Sequence, residues 1–217
     1  MAFCRYSPSN FETVRNMDEG YIKYHSARRD GVVPESAQLD ALNQTRTQLF
    51  DLGLIGVYPS GVGYGNLSIR ATGAQFVITA SATGGIRTLQ NVHYCLVEQF
   101  SVAHNQVHSL GTLAASSEAM THGAIYCANP SVHCVVHVHS RQLFDYWMVN
   151  RLLSTSENIP YGTPAMSEKV SRLAVALPLL PVMFAMAGHD EGMVAYGADV
   201  ATTLALLLNE LKRAQTP

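Results

Sequence analysis

Two histidines one residue apart, in Val136-His137-Val138-His139, carry the sharpest chemical signal in this chain. On a strand, alternate side chains share a face, so His137 and His139 point one way and the two valines the other. Two imidazoles on one face can converge on a single divalent cation, and nitrogen donors suit zinc and its neighbours. Core histidines with satisfied hydrogen bonds would produce the same pattern. His189 lies in Ala187-Gly188-His189-Asp190-Glu191-Gly192, just past a short apolar run and between glycines. Alone it reads as a loop histidine. As a third ligand it would leave an open coordination position, which a catalytic metal needs. His122 and His133 have no such spacing and read as ordinary helix and strand residues.

A second signal is Ala115-Ser116-Ser117-Glu118, ahead of a helix expected over about 117–128. Free backbone N–H groups at a helix start favour an anion, and small hydroxyl residues let a phosphate come close. Simple N-capping by Ser116 accounts for the same residues. Glu118 falls in the first turn, where an acid complements the helix dipole unless it faces reacting atoms. The glycine run Gly61-Val62-Gly63-Tyr64-Gly65 opens a strand instead of a helix, so it is no dinucleotide fingerprint.

These residues need elements to hold them. Leu39, Leu42 and Leu49 recur at helical spacing between Pro34-Ser36 and Gly53. Asn66-Leu67-Ser68-Ile69-Arg70 alternates as a half-buried strand does. Residues 75–80 and 92–100 are further strand expectations, and the β-branched run 132–138 reads as a buried strand. Ser140 can cap a helix carrying Leu143, Phe144 and Trp147. Thr163 and Pro164 start another, which Pro178 ends. Two short strands, 182–187 and 192–196, precede a last helix over 199–214. Strands in pairs with interspersed helices argue for a mixed or largely antiparallel sheet covered by helices. The whole chain, 1–217, reads as one domain whose residues 1–34 are a less regular N-terminal segment.

With 217 residues, 47% of them hydrophobic, the chain can bury a core without disulfides. Its four cysteines show no CxxC spacing, and the three in apolar stretches read as buried free thiols. A net charge of -2 and the lack of a basic stripe speak against nucleic acid and anionic membrane as partners. No stretch reaches the roughly 20 apolar residues that span a bilayer, and the start lacks a signal-peptide core, so a cytoplasmic location is expected.

Taken in order, the motifs resemble the class II aldolase/adducin family. Gly65-Asn66-Leu67-Ser68-Ile69-Arg70 is similar to its GNLSxR segment, and Ile78-Thr79-Ala80-Ser81-Ala82-Thr83-Gly84 to its ITPxG segment. Ser116-Ser117-Glu118 with His122 and Tyr126 resembles its SSE helix, His137-Val138-His139-Ser140 its HxHS pair, and Gly188-His189 its late metal histidine. The resemblance spans about residues 38–212. It implies a three-layer α/β/α fold with a central mixed, largely antiparallel sheet, and a homotetramer with active sites at subunit interfaces. It further implies one divalent ion per chain, with Zn2+ expected, held by His137, His139 and His189. Glu118 would be the acid/base, and Asn66, Thr83, Gly84, Ser116 and Ser117 would bind the substrate's phosphate. The implied activity is that of an aldehyde-lyase, making or breaking a C–C bond in a sugar phosphate or related hydroxy-ketone through a metal-stabilised enediolate.

The chain departs from the family pattern in three places. The ITPxG-like segment is longer and lacks its proline, which makes Ser81 a rival to Thr83 and Gly84. Asp190 and Glu191 separate His189 from Gly192, and no tyrosine follows Tyr196. Tyr161 is a candidate proton donor to the aldehyde oxygen, or an ordinary tyrosine. A sugar-phosphate dehydratase or an epimerase would use the same metal site, although family epimerases carry Asp where this chain has Glu118. A non-catalytic adducin-like scaffold would share the fold, but the retained histidines and Glu118 argue against it.

Overall fold

The computed structural model describes residues 21–216, and its helices begin where short polar side chains can cap them. Ser36, Ser140, Thr163 and Asp199 each accept a hydrogen bond from a first-turn N–H, at the heads of α1 (Ala37–Asp51), α3 (Arg141–Val149), α4 (Pro164–Ala176) and α5 (Val200–Gln215). Such caps contribute about 1 kcal/mol each by satisfying an orphan donor. Gly53, at φ +71°, lets the chain turn away just past α1. α2 (Ala119–Ala128) starts differently. Glu118 occupies its N-cap position without a side-chain cap, so Ser116 is not the cap. The Ser116 hydroxyl accepts from the Glu118 N–H at 3.3 Å, and its own N–H is bonded to Thr79 O at 3.2 Å, which ties residue 116 to the sheet.

An eight-stranded sheet runs β1 (His25–Arg29), β7 (Gln106–Leu110), β6 (Tyr94–Ser101), β5 (Phe76–Thr79), β4 (Asn66–Arg70), β8 (Cys134–His139), β10 (Gly192–Gly197), β9 (Val182–Ala185). Every pairing is antiparallel except β1 with β7, so the mixed sheet agrees with the sequence reading. A separate hairpin, β2 (Gly56–Val57) with β3 (Gly63–Tyr64), precedes β4. Four strands were not expected: β2 and β3 of the hairpin, β7, and β1, which lies within the segment expected to be irregular. Residues 1–20 of that segment, Cys4 among them, lie outside the described residues.

Side-chain alternation on β8 divides two apolar layers. Cys134, Val136 and Val138 face a cluster with Leu39, Leu42, Leu49, Leu143, Trp147 and Leu207 from α1, α3 and α5. Val135 faces the other, with Met120, Ile125, Met166 and Val170 from α2 and α4. The outcome is helix, sheet, helix. Asn66 and Ser68 share the second face, which is why β4 is buried along Asn66–Ile69 and not half-solvated as its alternation suggested. The Ser68 hydroxyl is instead held by His122 Nδ1 at 2.7 Å and the Tyr126 hydroxyl at 2.8 Å. Of the described cysteines, Cys95 and Cys134 are buried free thiols, whereas Cys127, on the last turn of α2, is exposed.

Leu67, fully buried on β4, packs the layer under α1. Leu67→Ala is expected to cost about 2–5 kcal/mol, from lost burial plus the cavity left behind. Urea unfolding measures this, with a shift in midpoint and an unchanged slope.

Candidate metal centre and anion cavity

Register puts the histidines together. His137 on β8 pairs with Asn66 on β4 and Val194 on β10, and His139 pairs with Gly192 at the start of β10. The turn between β9 and β10 brings His189 back over the pair, held by His189 N to Met186 O at 2.8 Å and Gly192 N to His189 O at 2.9 Å. Gly192 permits this fold-back, since a Cβ there would lie 2.5 Å from His189 Cδ2. Nε2 of His137 is 3.0 Å from that of His139 and 3.2 Å from that of His189. All three ligand nitrogens lie within 4.8 Å of one another. Nitrogens bound tetrahedrally at 2.0–2.1 Å would sit about 3.3 Å apart. All three residues are buried, at 2%, 3% and 6% exposure.

Burial also sets their protonation. Desolvation pushes His137 down to about 4 and holds His139 and His189 well below the usual imidazole range, with neighbouring imidazoles adding to the effect. The neutral imidazole is the form that binds a cation. His137 Nδ1–H donates to Met193 O at 3.2 Å, leaving Nε2 as the lone-pair nitrogen. The donor set, burial and spacing fit a divalent ion, and three protein ligands leave room for substrate.

Glu118 is a buried carboxyl at the head of α2, 2% exposed, with neither oxygen hydrogen-bonded. Desolvation pushes its pKa up to about 7, against the opposing influence of Thr121 and of the Lys23 ammonium. Lys23 Nζ lies 3.9 Å from the centre of the Tyr161 ring, which in turn lies 4.2 Å from the His189 ring.

Asn66, Thr83, Gly84, Ser116 and Ser117 line one cavity of about 270 Å³, together with Ser81. The Asn66 side-chain oxygen is buried without a partner. Gly84 is required by close approach to the β2–β3 hairpin, because a Cβ there would meet Gly56 O at 2.2 Å. Behind the loop lies Arg46, 1% exposed on α1. Its guanidinium donates to the carbonyls of Thr83 (2.9 Å), Gly84 (3.2 Å), Arg87 (2.8 Å) and Ile86.

Residues 60–215 match the family model described as the Class II Aldolase and Adducin N-terminal domain. The chain belongs to this family. A 3-oxo-tetronate 4-phosphate decarboxylase of Haemophilus influenzae is 28% identical over 158 residues, 64% of this chain and 69% of the relative. Among solved structures, an L-fuculose-1-phosphate aldolase from Thermus thermophilus superposes with TM-score 0.58 at 21% identity, covering 83% of this chain and 92% of that one. A sugar-phosphate aldolase from Thermotoga maritima superposes with TM-score 0.61 at 17% identity, covering 83% and 94%. Members of this class II aldolase family include enzymes, and the three-layer fold is theirs.

Sequence reasoning missed Arg46, Lys23, Tyr58 and Glu191. Arg46 had a readable sign, since it continues the buried stripe of Leu39, Leu42 and Leu49. His122, read as ordinary, is fully buried, and desolvation lowers its pKa to about 3.

Four buried neutral histidines give the metal-free protein a defined acid response. Unfolded, each takes a proton near 6.5; folded, His122, His137, His139 and His189 do so only at lower pH. Protons therefore favour the unfolded chain below about 6.5, and stability falls as pH falls. Glu118 acts oppositely, because its raised pKa makes stability fall as pH rises from about 4.5 to 7. Four groups outweigh one. The denaturation midpoint should drop steeply from pH 6.5 to 4.5, and a flat profile would show that the native imidazoles titrate normally.

Proposed function

We propose that this chain is a metal-dependent lyase that makes or breaks a carbon–carbon bond in a sugar phosphate or related hydroxy-carbonyl compound. The observation that carries this reading is the meeting of three buried imidazole nitrogens, and the buried, unpartnered Glu118 carboxyl supports it. His137, His139 and His189 would hold one divalent ion, with Zn2+ favoured by the all-nitrogen donor set. When bound, such an ion supplies Lewis-acid stabilisation of negative charge on an oxygen next to the breaking bond.

The chain's own groups supply the remainder. Glu118, with a pKa near neutrality, can take a proton from the reacting carbon or return one, depending on direction. The cavity walled by Asn66, Thr83, Gly84, Ser116 and Ser117 would seat the phosphate, through hydroxyls and backbone donors. Tyr161, whose ring lies 4.2 Å from that of His189, would be the candidate to exchange a proton with the departing carbonyl oxygen. A homotetramer in the cytosol completes the proposal, on the strength of the family resemblance alone.

The Haemophilus relative favours a second reading on the same residues, decarboxylation of a phosphorylated 3-oxo acid. Both reactions leave electron density on a carbon next to a carbonyl, so they differ in the group that departs. Assay of candidate sugar phosphates and 3-oxo acid phosphates for released aldehyde or carbon dioxide separates them.

The purified protein should carry about one divalent ion per chain, and chelation should abolish turnover, with recovery on adding the ion back. Glu118→Gln should retain the metal and lower kcat about 10²- to 10⁴-fold, the usual contribution of a general acid or base. Unchanged turnover in that variant would remove Glu118 from the chemistry, and metal-free turnover would remove the centre.

A further inference from the structure

On the side of His139 facing away from the other two histidines, Nδ1 lies 2.8 Å from the Tyr58 hydroxyl. That hydroxyl is also 3.1 Å from Glu191 Oε2, and the other Glu191 oxygen accepts from Arg141 Nε at 3.1 Å. A carboxylate only accepts, so the Tyr58 proton is committed to Glu191 and its oxygen accepts from His139 Nδ1–H. This fixes the tautomer: the proton stays on Nδ1 and the lone pair on Nε2, toward His137. Without Tyr58 and Glu191, His139 could shift its proton to Nε2 and present a donor where a ligand is needed.

Two further facts point the same way. Glu191 sits at φ +63°, a conformation that a non-glycine residue adopts at a cost and keeps where its side chain must be aimed. Its ion pair with Arg141 is solvent-exposed, with side chains 25% and 48% accessible, so it contributes little to stability. Strain without a stabilising return suggests a role at the site. Tyr58, His139 and Glu191 also line a second cavity, of about 310 Å³, from which water can compete for the Nδ1 proton.

We propose that Tyr58 and Glu191 are positioning residues for the metal centre, fixing the His139 tautomer and thereby the tightness and geometry of cation binding. This rests on the metal-centre reading above. Arg141 steadies Glu191 from outside.

The test is Zn2+ affinity of the metal-stripped protein, measured by competition with a chromophoric chelator, with the visible spectrum of the Co2+-loaded protein as a coordination signature. Tyr58→Phe should weaken Zn2+ binding about 10- to 100-fold, the usual cost of losing an outer-shell partner, and alter the Co2+ spectrum. Glu191→Gly should weaken binding similarly while raising the thermal midpoint of the metal-free protein, because glycine relieves the positive φ. Glu191→Gln, which keeps an acceptor, should recover part of the affinity. Tyr64→Phe, whose ring lies 5.5 Å from His139 but whose hydroxyl bonds Gly53 O, should change neither readout. Native affinity in Tyr58→Phe would overturn the proposal and leave the metal centre standing. Glu191→Gly that weakens binding and also melts earlier would make Glu191 a structural residue. If the unsubstituted protein bound neither ion, the metal centre would fall, and this proposal with it.

Discussion

Imidazoles buried side by side must be neutral. Placing a second or third positive charge in a desolvated space between sheet and helices would cost far more than the fold has to spare. Once neutral, each ring has one donor nitrogen and one acceptor nitrogen. At His137 and His139 the donors are taken up by Met193 O and Tyr58, so the acceptors face each other at 3.0 Å. Two lone pairs at that distance repel unless something positive lies between them. The architecture around them follows from this constraint. β8 must be central so that its alternate residues are covered on both faces, and the β9–β10 turn must fold back tightly enough to bring His189 over the pair.

The cavity proposed to seat the phosphate is backed by a complementary device, a cation placed behind a loop. Arg46 gathers the carbonyls of Thr83, Gly84, Ile86 and Arg87 on one side. In a planar trans peptide the C=O and the following N–H point in opposite directions, so drawing carbonyls toward Arg46 turns N–H groups the other way. Backbone donors aimed outward from a glycine-containing turn make an anion-binding concavity without any Lys or Arg at the ligand. In the cavity of about 270 Å³, whose lining residues carry no side-chain charge, an anion would depend on such donors and on the hydroxyls. This arrangement accounts for a buried guanidinium in a helix that otherwise buries three leucines and Thr45.

What could be read from the sequence was what is local. Caps at Ser36, Ser140, Thr163 and Asp199 involve residues three apart, and the β-branched run around Val135 needs no partner to declare itself. The histidine pair was legible because strand alternation fixes its geometry. β1 and β7 were not, since His25–Arg29 and Gln106–Leu110 are polar and become strands only by pairing with each other and with β6. Ser116 was misread as a cap for a related reason. A hydroxyl before a helix looks the same whether it is the cap or, as here, accepts from the N–H of the cap residue Glu118 while its own backbone is captured by Thr79 across the sheet. Tyr58 reaches His139 from 81 residues away in sequence and Lys23 reaches Tyr161 from 138, distances at which spacing carries no information.

The two reactions weighed for this chain place the same demand on Glu118 and opposite demands on its surroundings. Retro-aldol cleavage must deliver a proton to carbon and remove one from the hydroxyl that becomes the aldehyde, so two proton-transfer groups must flank the substrate. Decarboxylation needs only the first, because carbon dioxide leaves without a proton to lose. The buried carboxyl at position 118 serves either. The second role would fall to Tyr161, whose ring lies against His189 with the Lys23 ammonium 3.9 Å from its centre. The ammonium lies against the Tyr161 ring face and carbonyl, and it would attract a substrate carboxylate held at that spot. On the proposed readings Lys23 would be where the two chemistries part. Beside a Tyr161 acting on the hydroxyl it would serve an aldolase, and as the counter-ion of a substrate carboxylate it would serve a decarboxylase.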